Sequence, residues 1–251
     1  MKLHIFNPEH DIALAANQEC FTAPHAGRRL RTDLGFIPAF WASEGDMVLV
    51  DDVEAAIEAR RHLRKFGNDV VFVTAADLKD FTLDDVKSFQ VEPWGWDCTI
   101  KEQLLRANKG LEPFMPSDDA LATIREMSNR RFAAEHLLPV LREIAESQTV
   151  GESHYCTTME EVLQVLKRNG RSVLKSPWSS SGRGVRYVET TVLDAHLEGW
   201  AANVVKRQGG IMVEPLYSKV YDFGLEFVSN SDGSIDFKGL SLFATRGGAY
   251  V

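Results

Sequence analysis

Lys175 closes a short apolar run, Val173-Leu174-Lys175. Ser176-Pro177-Trp178-Ser179-Ser180-Ser181-Gly182-Arg183-Gly184 follows, and a second apolar run begins at Val185. The pattern reads as a strand, a hairpin loop of small residues and a second strand, with a cation at the loop's mouth. Small residues let backbone N–H groups approach phosphate oxygens, and a lysine adds a compact positive charge. The chemistry implied is phosphate binding, and hence nucleotide chemistry. Spacing excludes three better-known glycine motifs. A Walker A loop ends in Gly-Lys-Ser/Thr, which this chain lacks. A dinucleotide fingerprint needs a third glycine where Tyr187 stands, and Val185-Arg186-Tyr187-Val188 reads as strand. A protein kinase places its lysine after the loop, and no His-Arg-Asp loop precedes Asp222-Phe223-Gly224.

Four segments in order extend the pattern over roughly residues 116 to 246: Ser128-Asn129-Arg130-Arg131-Phe132 opening a helix; Cys156-Thr157-Thr158-Met159-Glu160-Glu161 starting another; the lysine strand with its loop; and Gly209-Gly210-Ile211-Met212-Val213-Glu214-Pro215-Leu216, followed by Tyr221-Asp222-Phe223-Gly224-Leu225-Glu226. This ordered set resembles the ATP-grasp family. The resemblance implies an α/β chain, with a pre-ATP-grasp parallel-sheet domain before an ATP-grasp α+β domain whose C-terminal part is incomplete. It also implies ATP and Mg2+ as cofactors. The reaction would move the γ-phosphoryl of ATP to a carboxylate, and an amine or thiol acceptor would attack the acylphosphate. A small-molecule kinase and a non-catalytic nucleotide-binding module are the alternatives.

The resemblance also suggests roles by position. Lys175 would meet the α/β-phosphates, with Arg130 (or Arg131) where the family often has a second phosphate-binding lysine. Ser179, Ser180, Ser181, Gly182, Arg183 and Gly184 would form a flap over the phosphates, Arg183 either touching them or pointing to water. Met212 would line the adenine slot, Glu214 would lie near the adenine amino group, and Leu216 would offer a backbone N–H, which Pro215 lacks. Asp222, or Glu226, would hold ribose. Arg246 would face the transferred phosphoryl group, unless it is simply a terminal-strand residue. The metal ligands stay unassigned.

Composition narrows the setting. The 251 residues are 44% hydrophobic and 25% charged, as in globular proteins with one large domain or two ordinary ones. No stretch has the length and apolarity of a membrane span, and the N-terminus turns polar too early for a signal peptide. Cys20, Cys98 and Cys156 are scattered, as free thiols in a reducing cytoplasm would be. A net charge of −8 argues against general nucleic-acid binding. A homodimer is compatible with all of this.

These residues need positioning elements. Residues 1–115 read as a small α/β unit with strands at Leu3–Phe6, Met47–Val50 and Asp69–Val73 and a helix from Val53 to Phe66. Pro113 and Pro116 mark a boundary, so that residues 116–251 form the nucleotide domain, subdivided at 210/211. Helices are expected at 117–127, 131–144 (ended or kinked by Pro139), 158–168 and 192–207. A strand pair is expected around the Asn-, Asp- and Gly-containing turn at 229–234. An ATP-grasp core would run on past Val251, which suggests a fragment of a longer protein.

Two N-terminal segments carry chemistry without a fixed assignment. Asn7-Pro8-Glu9-His10-Asp11 follows the first strand, where parallel sheets bind ligands. With His25, Arg28 and Arg29 it is a candidate acceptor site, although His10 and Asp11 also suit loop and cap roles. Trp94-Gly95-Trp96-Asp97 is either a packing corner or a substrate wall.

Overall fold

A computed structural model describes the chain apart from residues 62–63, 83–87, 146–148, 181, 231, 247–248 and 251. The chain forms two compact units, Met1–Asn129 and Arg130–Val251.

The first unit runs β1 (Lys2–Ile5), α1 (His10–Ala16), α2 (His25–Leu34), β2 (Met47–Leu49), α3 (Val53–Arg61), β3 (Val71–Val73), β4 (Gln90–Pro93), α4 (Cys98–Ala107) and α5 (Asp118–Met127). Its strands form one parallel sheet in the order β3-β2-β1-β4. Side chains alternate along each strand. Leu3, Ile5, Met47 and Val91 thus join Ile100 and Leu104 on one face, while Val48 and Val50 join Phe36 and Ala56 on the other. Both faces are covered, as a parallel sheet requires. The sequence reading missed β4, a short strand ending in proline at a sheet edge, where the missing N–H costs no ladder bond. Of the helix expected from Val53 to Phe66, Val53–Arg61 is α-helical and Arg64–Phe66 is a 3-10 turn, while residues 62–63 lie outside the described residues. The two units part after Asn129, later than the prolines suggested. Buried Leu121, a Lys101–Asp118 ion pair of 2.6 Å and a 2.8 Å bond from Arg125 Nε to the Leu14 carbonyl tie α5 to the first unit.

The second unit opens with α6 (Arg130–Phe132), a π turn over Ala133–Leu137 and α7 (Leu138–Ala145). The helical run passes through Pro139. The wider π turn before it accommodates a residue without an N–H, which a uniform α-helix would not. Next come β5 (His154–Cys156), α8 (Met159–Asn169), β6 (Ser172–Lys175), β7 (Val185–Val188), α9 (Ala195–Gln208) and β8 (Ile211–Pro215). Helix α8 starts in a capping box, with Thr158 and Glu161 each accepting from the other's end. The strands form an antiparallel sheet in the order β5-β8-β6-β7. One face carries Cys156, Leu174, Ile211 and Val213 against Val162 and Leu166 of α8 and Ala201 and Val204 of α9.

β9 (Asp222–Ser229) and β10 (Ile235–Phe243) form a separate antiparallel ribbon with a bulge between Phe237 and Gly239. Phe223 pairs with Leu242, Leu225 with Leu240 and Phe227 with Phe237, all on one face. All six are more than half exposed. β11 (Thr245–Arg246) and β12 (Ala249–Tyr250) form a last short pair.

Candidate nucleotide site

The face of the second sheet opposite its core is built by register. Tyr155, Met212, Lys175 and Val185 stand in one row across β5, β8, β6 and β7. Glu214, Val173 and Tyr187 form the next row. Lys175 Nζ reaches diagonally to Glu214 Oε2 in an ion pair, and Ser153 Oγ donates to the other Glu214 oxygen at 3.0 Å. Both partners of the ion pair keep about a quarter of their side-chain surface exposed. Met212 is fully buried, so it forms the floor of its row rather than a presented surface.

The loop after β6 has a fixed base. Arg130 donates to the Ser176 carbonyl at 2.6 Å, the Ser179 hydroxyl at 2.9 Å and the Ser179 carbonyl at 2.7 Å, and its own N–H reaches the Pro177 carbonyl at 3.1 Å. Gln208 accepts from the N–H of buried Trp178 at 3.0 Å. Across the loop, Ser176 N–H bonds the Gly184 carbonyl at 2.8 Å. A Cβ at Gly184 would lie 2.2 Å from Ser179 Oγ and 3.0 Å from Ser176 Cβ, so the crossing requires glycine. Toward the tip, Ser180 accepts from the Arg183 N–H at 3.1 Å, Gly182 turns the chain at φ 72°, and the Arg183 side chain is exposed. Ser181 lies outside the described residues.

A cleft of about 380 Å³ adjoins this face. Leu137, Leu138 and Leu141 line one side, Ser153, Glu214 and Tyr217 another, and Arg130 also borders it. An apolar wall facing a few convergent polar groups is what a flat heterocycle with a polar edge needs. Sequence reasoning missed these leucines, which read as an ordinary amphipathic helix, and it missed Ser153 and Tyr217.

Several expected roles change. The Leu216 N–H is given to the Arg171 carbonyl at 2.9 Å, in line with the sheet ladder, and so is not offered to a base. Arg130 holds the loop through its backbone, while Arg131 lies over the Tyr155 ring, 5.4 Å from its centroid. Asp222 sits at the root of the ribbon, bonded to Lys219 at 2.5 Å and to Thr245, and these two hydrogen bonds hold its carboxyl below the usual range. Glu226 is exposed on the same strand, and Arg246 is described in its backbone alone. The structure therefore gathers Lys175, Met212, Glu214, Arg130, Ser179 and Gly184, and it puts Asp222, Glu226 and Arg246 on other sheets. Among the described residues no three His, Cys, Asp or Glu side chains cluster as metal ligands, so magnesium is assigned no position. Burial, and then Glu161, push the Cys156 thiol up to about 11, far from a thiolate nucleophile.

No family model and no curated protein matches the chain, but solved structures do. One is the biotin carboxylase domain of Hydrogenobacter thermophilus 2-oxoglutarate carboxylase, in complex with MgADP, ADP and bicarbonate. It matches over 99% of this chain and 51% of that one, with a TM-score of 0.53 at 14% identity. N5-carboxyaminoimidazole synthetase from Staphylococcus aureus, complexed with ADP, gives 0.49 at 10% identity over 99% and 56%. The N5-carboxyaminoimidazole ribonucleotide synthetase of Thermus thermophilus gives 0.48 at 16% identity over 100% and 56%. The chain spans about half the length of these proteins. At such identities the likeness carries the fold, supported by the carboxylase domain: this chain has the ATP-grasp fold, entered through a parallel-sheet domain.

Proposed function

We propose that the chain binds ATP on the polar face of its second sheet, as part of an ATP-dependent carboxylate–amine or carboxylate–thiol ligase that works through an acylphosphate. The observation that carries this is Lys175, held at the mouth of a serine–glycine loop whose base Arg130 fixes. A preset loop and cation lower the ordering cost of gripping phosphates. In this reading Lys175 exchanges Glu214 for phosphate oxygens, and Ser179, Ser180, Gly182 and Arg183 close over them. The leucine wall takes the adenine, with Glu214 at its amino edge. Asp222 or Glu226 for ribose, and Arg246 toward the transferred group, belong to the same reading. Magnesium, a cytoplasmic setting and a homodimer are its remaining parts. The three free cysteines fit a reducing compartment, and no described helix is long and apolar enough to cross a membrane.

Titration calorimetry with Mg-ATP tests the reading on the wild-type chain and Lys175→Ala. Binding by wild type that weakens by about 100-fold or more in the variant supports it, since a charge-assisted contact to phosphate is among the stronger polar interactions. Equal binding by both removes Lys175 from the site. ADP formed without a new amide or thioester would move the reading to a small-molecule kinase.

A further inference from the structure

A cavity of about 630 Å³ lies in the first unit, and every residue that lines it belongs to that unit. The sheet places it. β1, β2 and β3 are parallel, so their carboxyl ends emerge together at one edge. There Ile5 and Phe6 stand at the tip of β1, Val50 and Asp51 at that of β2, and Thr74 at that of β3. The chain steps outward from β1 through β2 to β3 and then returns to the far side of β1 for β4, so the strand order reverses at β1. Open α/β sheets take ligands at the carboxyl ends of their strands, by such a reversal.

Two helices supply the other walls. Asp97 caps α4 by accepting the Ile100 N–H at 2.9 Å, and Ile100, Gln103, Leu104 and Ala107 then share the helical face that lines the cavity. Ile100 and Leu104 are buried, whereas Gln103 is exposed. On the other side, Thr32 of α2 donates to Asp51 Oδ2 at 2.6 Å and fastens the last turn of α2 to the tip of β2. Arg31 precedes Thr32 on that turn, so a guanidinium and a carboxylate are held near one another. Of the five N–H groups of a guanidinium, Arg31 gives one to Glu9 at 2.7 Å, and among the described residues it has no other partner. Asp51 Oδ1 likewise accepts no hydrogen bond among the described residues. The cavity thus pairs a cation and an anion, each with unused hydrogen-bonding groups, with an apolar wall of Phe6, Val50, Ile100 and Leu104.

We propose that this cavity binds a free α-amino acid with an apolar side chain. The ligand's carboxylate takes the unused N–H groups of Arg31, its ammonium takes Asp51, and its side chain lies on the apolar wall. A planar guanidinium fork matches a carboxylate, and an ammonium is matched by a carboxylate oxygen. A zwitterion compensates both protein charges, whereas a simple carboxylate or a simple amine leaves one of them without a partner as water is expelled. The volume is that of pockets for small ligands. Every residue involved lies in the first unit, so the site is independent of the ATP reading.

Titration calorimetry on the whole chain tests this with L-valine, L-leucine, L-isoleucine, L-methionine, L-phenylalanine and L-tryptophan. Each is compared with its amide, which lacks the carboxylate, and with its des-amino acid, which lacks the ammonium (for leucine, leucinamide and 4-methylpentanoate). At least one amino acid should bind with a Kd below about 1 mM, and both of its analogues should bind about tenfold or more weakly. Arg31→Gln should erase the preference over the amide and keep that over the des-amino acid. Asp51→Asn should do the reverse. A damaged fold would weaken all three ligands alike and could not produce this exchange. The wild-type chain also decides without the variants, because the bound amino acid should shift the methyl resonances of Val50, Ile100 and Leu104. No binding by any of the amino acids, equal binding of the analogues, or unmoved methyl resonances at these three residues overturns the proposal. Lys175→Ala should bind the amino acid as wild type does, so failure of the nucleotide reading and failure of this one are seen separately.

Discussion

The two sheets collect chemistry in different ways. The parallel sheet of the first unit is buried on both faces, so its polar side-chain contacts gather in loops at one edge: Asn7 and His10 after β1, Gly95 and Asp97 after β4. The antiparallel sheet of the second unit buries one face and presents the other, so Lys175 and Glu214 stand on the strands themselves. Edge residues are held by side-chain pairs between distant loops, whereas face residues are held by the ladder. Neighbours on one strand of the second sheet should therefore differ sharply in role, whereas in the first sheet stability and function should be entangled in the same loop residue.

The most severe test of that contrast is β6. Leu174 is fully buried on the core face, and Lys175 is its neighbour on the other. Leu174→Ala should cost about 2–5 kcal/mol in urea unfolding. Lys175→Ala should cost about 1 kcal/mol or less while losing Mg-ATP. If Lys175→Ala destabilised as much as Leu174→Ala, the lysine would be a structural member and the separation of faces would fail.

Next in size is the loop that joins β6 to β7. Gly184→Ala forces a methyl against Ser179 and Ser176, and both serines are already fastened, one by Arg130 and the other by the crossing itself. The expected cost is about 1–3 kcal/mol, as for overpacking, together with weaker Mg-ATP binding. A stable variant with full affinity would show that the base of the loop yields. The contrast with the first sheet would then weaken, because the site would not be preset.

At the parallel-sheet edge, Asp97→Ala should cost about 0.5–2 kcal/mol through the lost cap of α4. Asp97→Asn should retain most of that stability, because the amide oxygen still accepts the Ile100 N–H. If the two substitutions lowered the unfolding midpoint alike, the charge of Asp97 beside His10, and not the cap, would carry the stability.

This contrast also explains what was legible beforehand. Lys175, the small-residue loop and β8 were visible because strand alternation and loop composition are local properties of the sequence. The partners of Arg130 were not, because a guanidinium beside a helix start gives no sign that it will grip the carbonyls of a loop far along the chain. Leu216 looked like a free donor because the sequence hides that Arg171, just before β6, reaches it. Strand β4 escaped notice for its brevity and its proline, and with it went the juxtaposition of His10 and Asp97. The exposed β9–β10 ribbon was readable as a strand pair, but its unpaired apolar face was not, because register decides which side chains share a face.

The smallest expected effect sets two carboxylates of the first unit against each other. Burial pushes Asp46 upward, but the Lys2 N–H at 2.8 Å, His4 at 3.2 Å and the Ser43 N–H at 3.0 Å outweigh it and hold the carboxyl below its ordinary value. For Glu9 burial prevails over the charge of Arg31, and the carboxyl lies above its ordinary value. The signs are therefore opposite. Asp46 contributes stability that is full above its unfolded-state value and is lost as pH falls through the folded one. Glu9 favours the fold in its protonated form. That contribution is full below the unfolded-state value and is lost as pH rises through the folded one. Asp46→Asn should thus be less stable than wild type near neutral pH, and the gap should close as the medium is acidified below about pH 4. Glu9→Gln, which mimics the protonated acid, should match or exceed wild type near neutral pH and converge with it in acid. Urea midpoints measured across this range decide the matter. A Glu9→Gln deficit at neutral pH that narrowed in acid would mean that Arg31, not burial, governs the loop after β1.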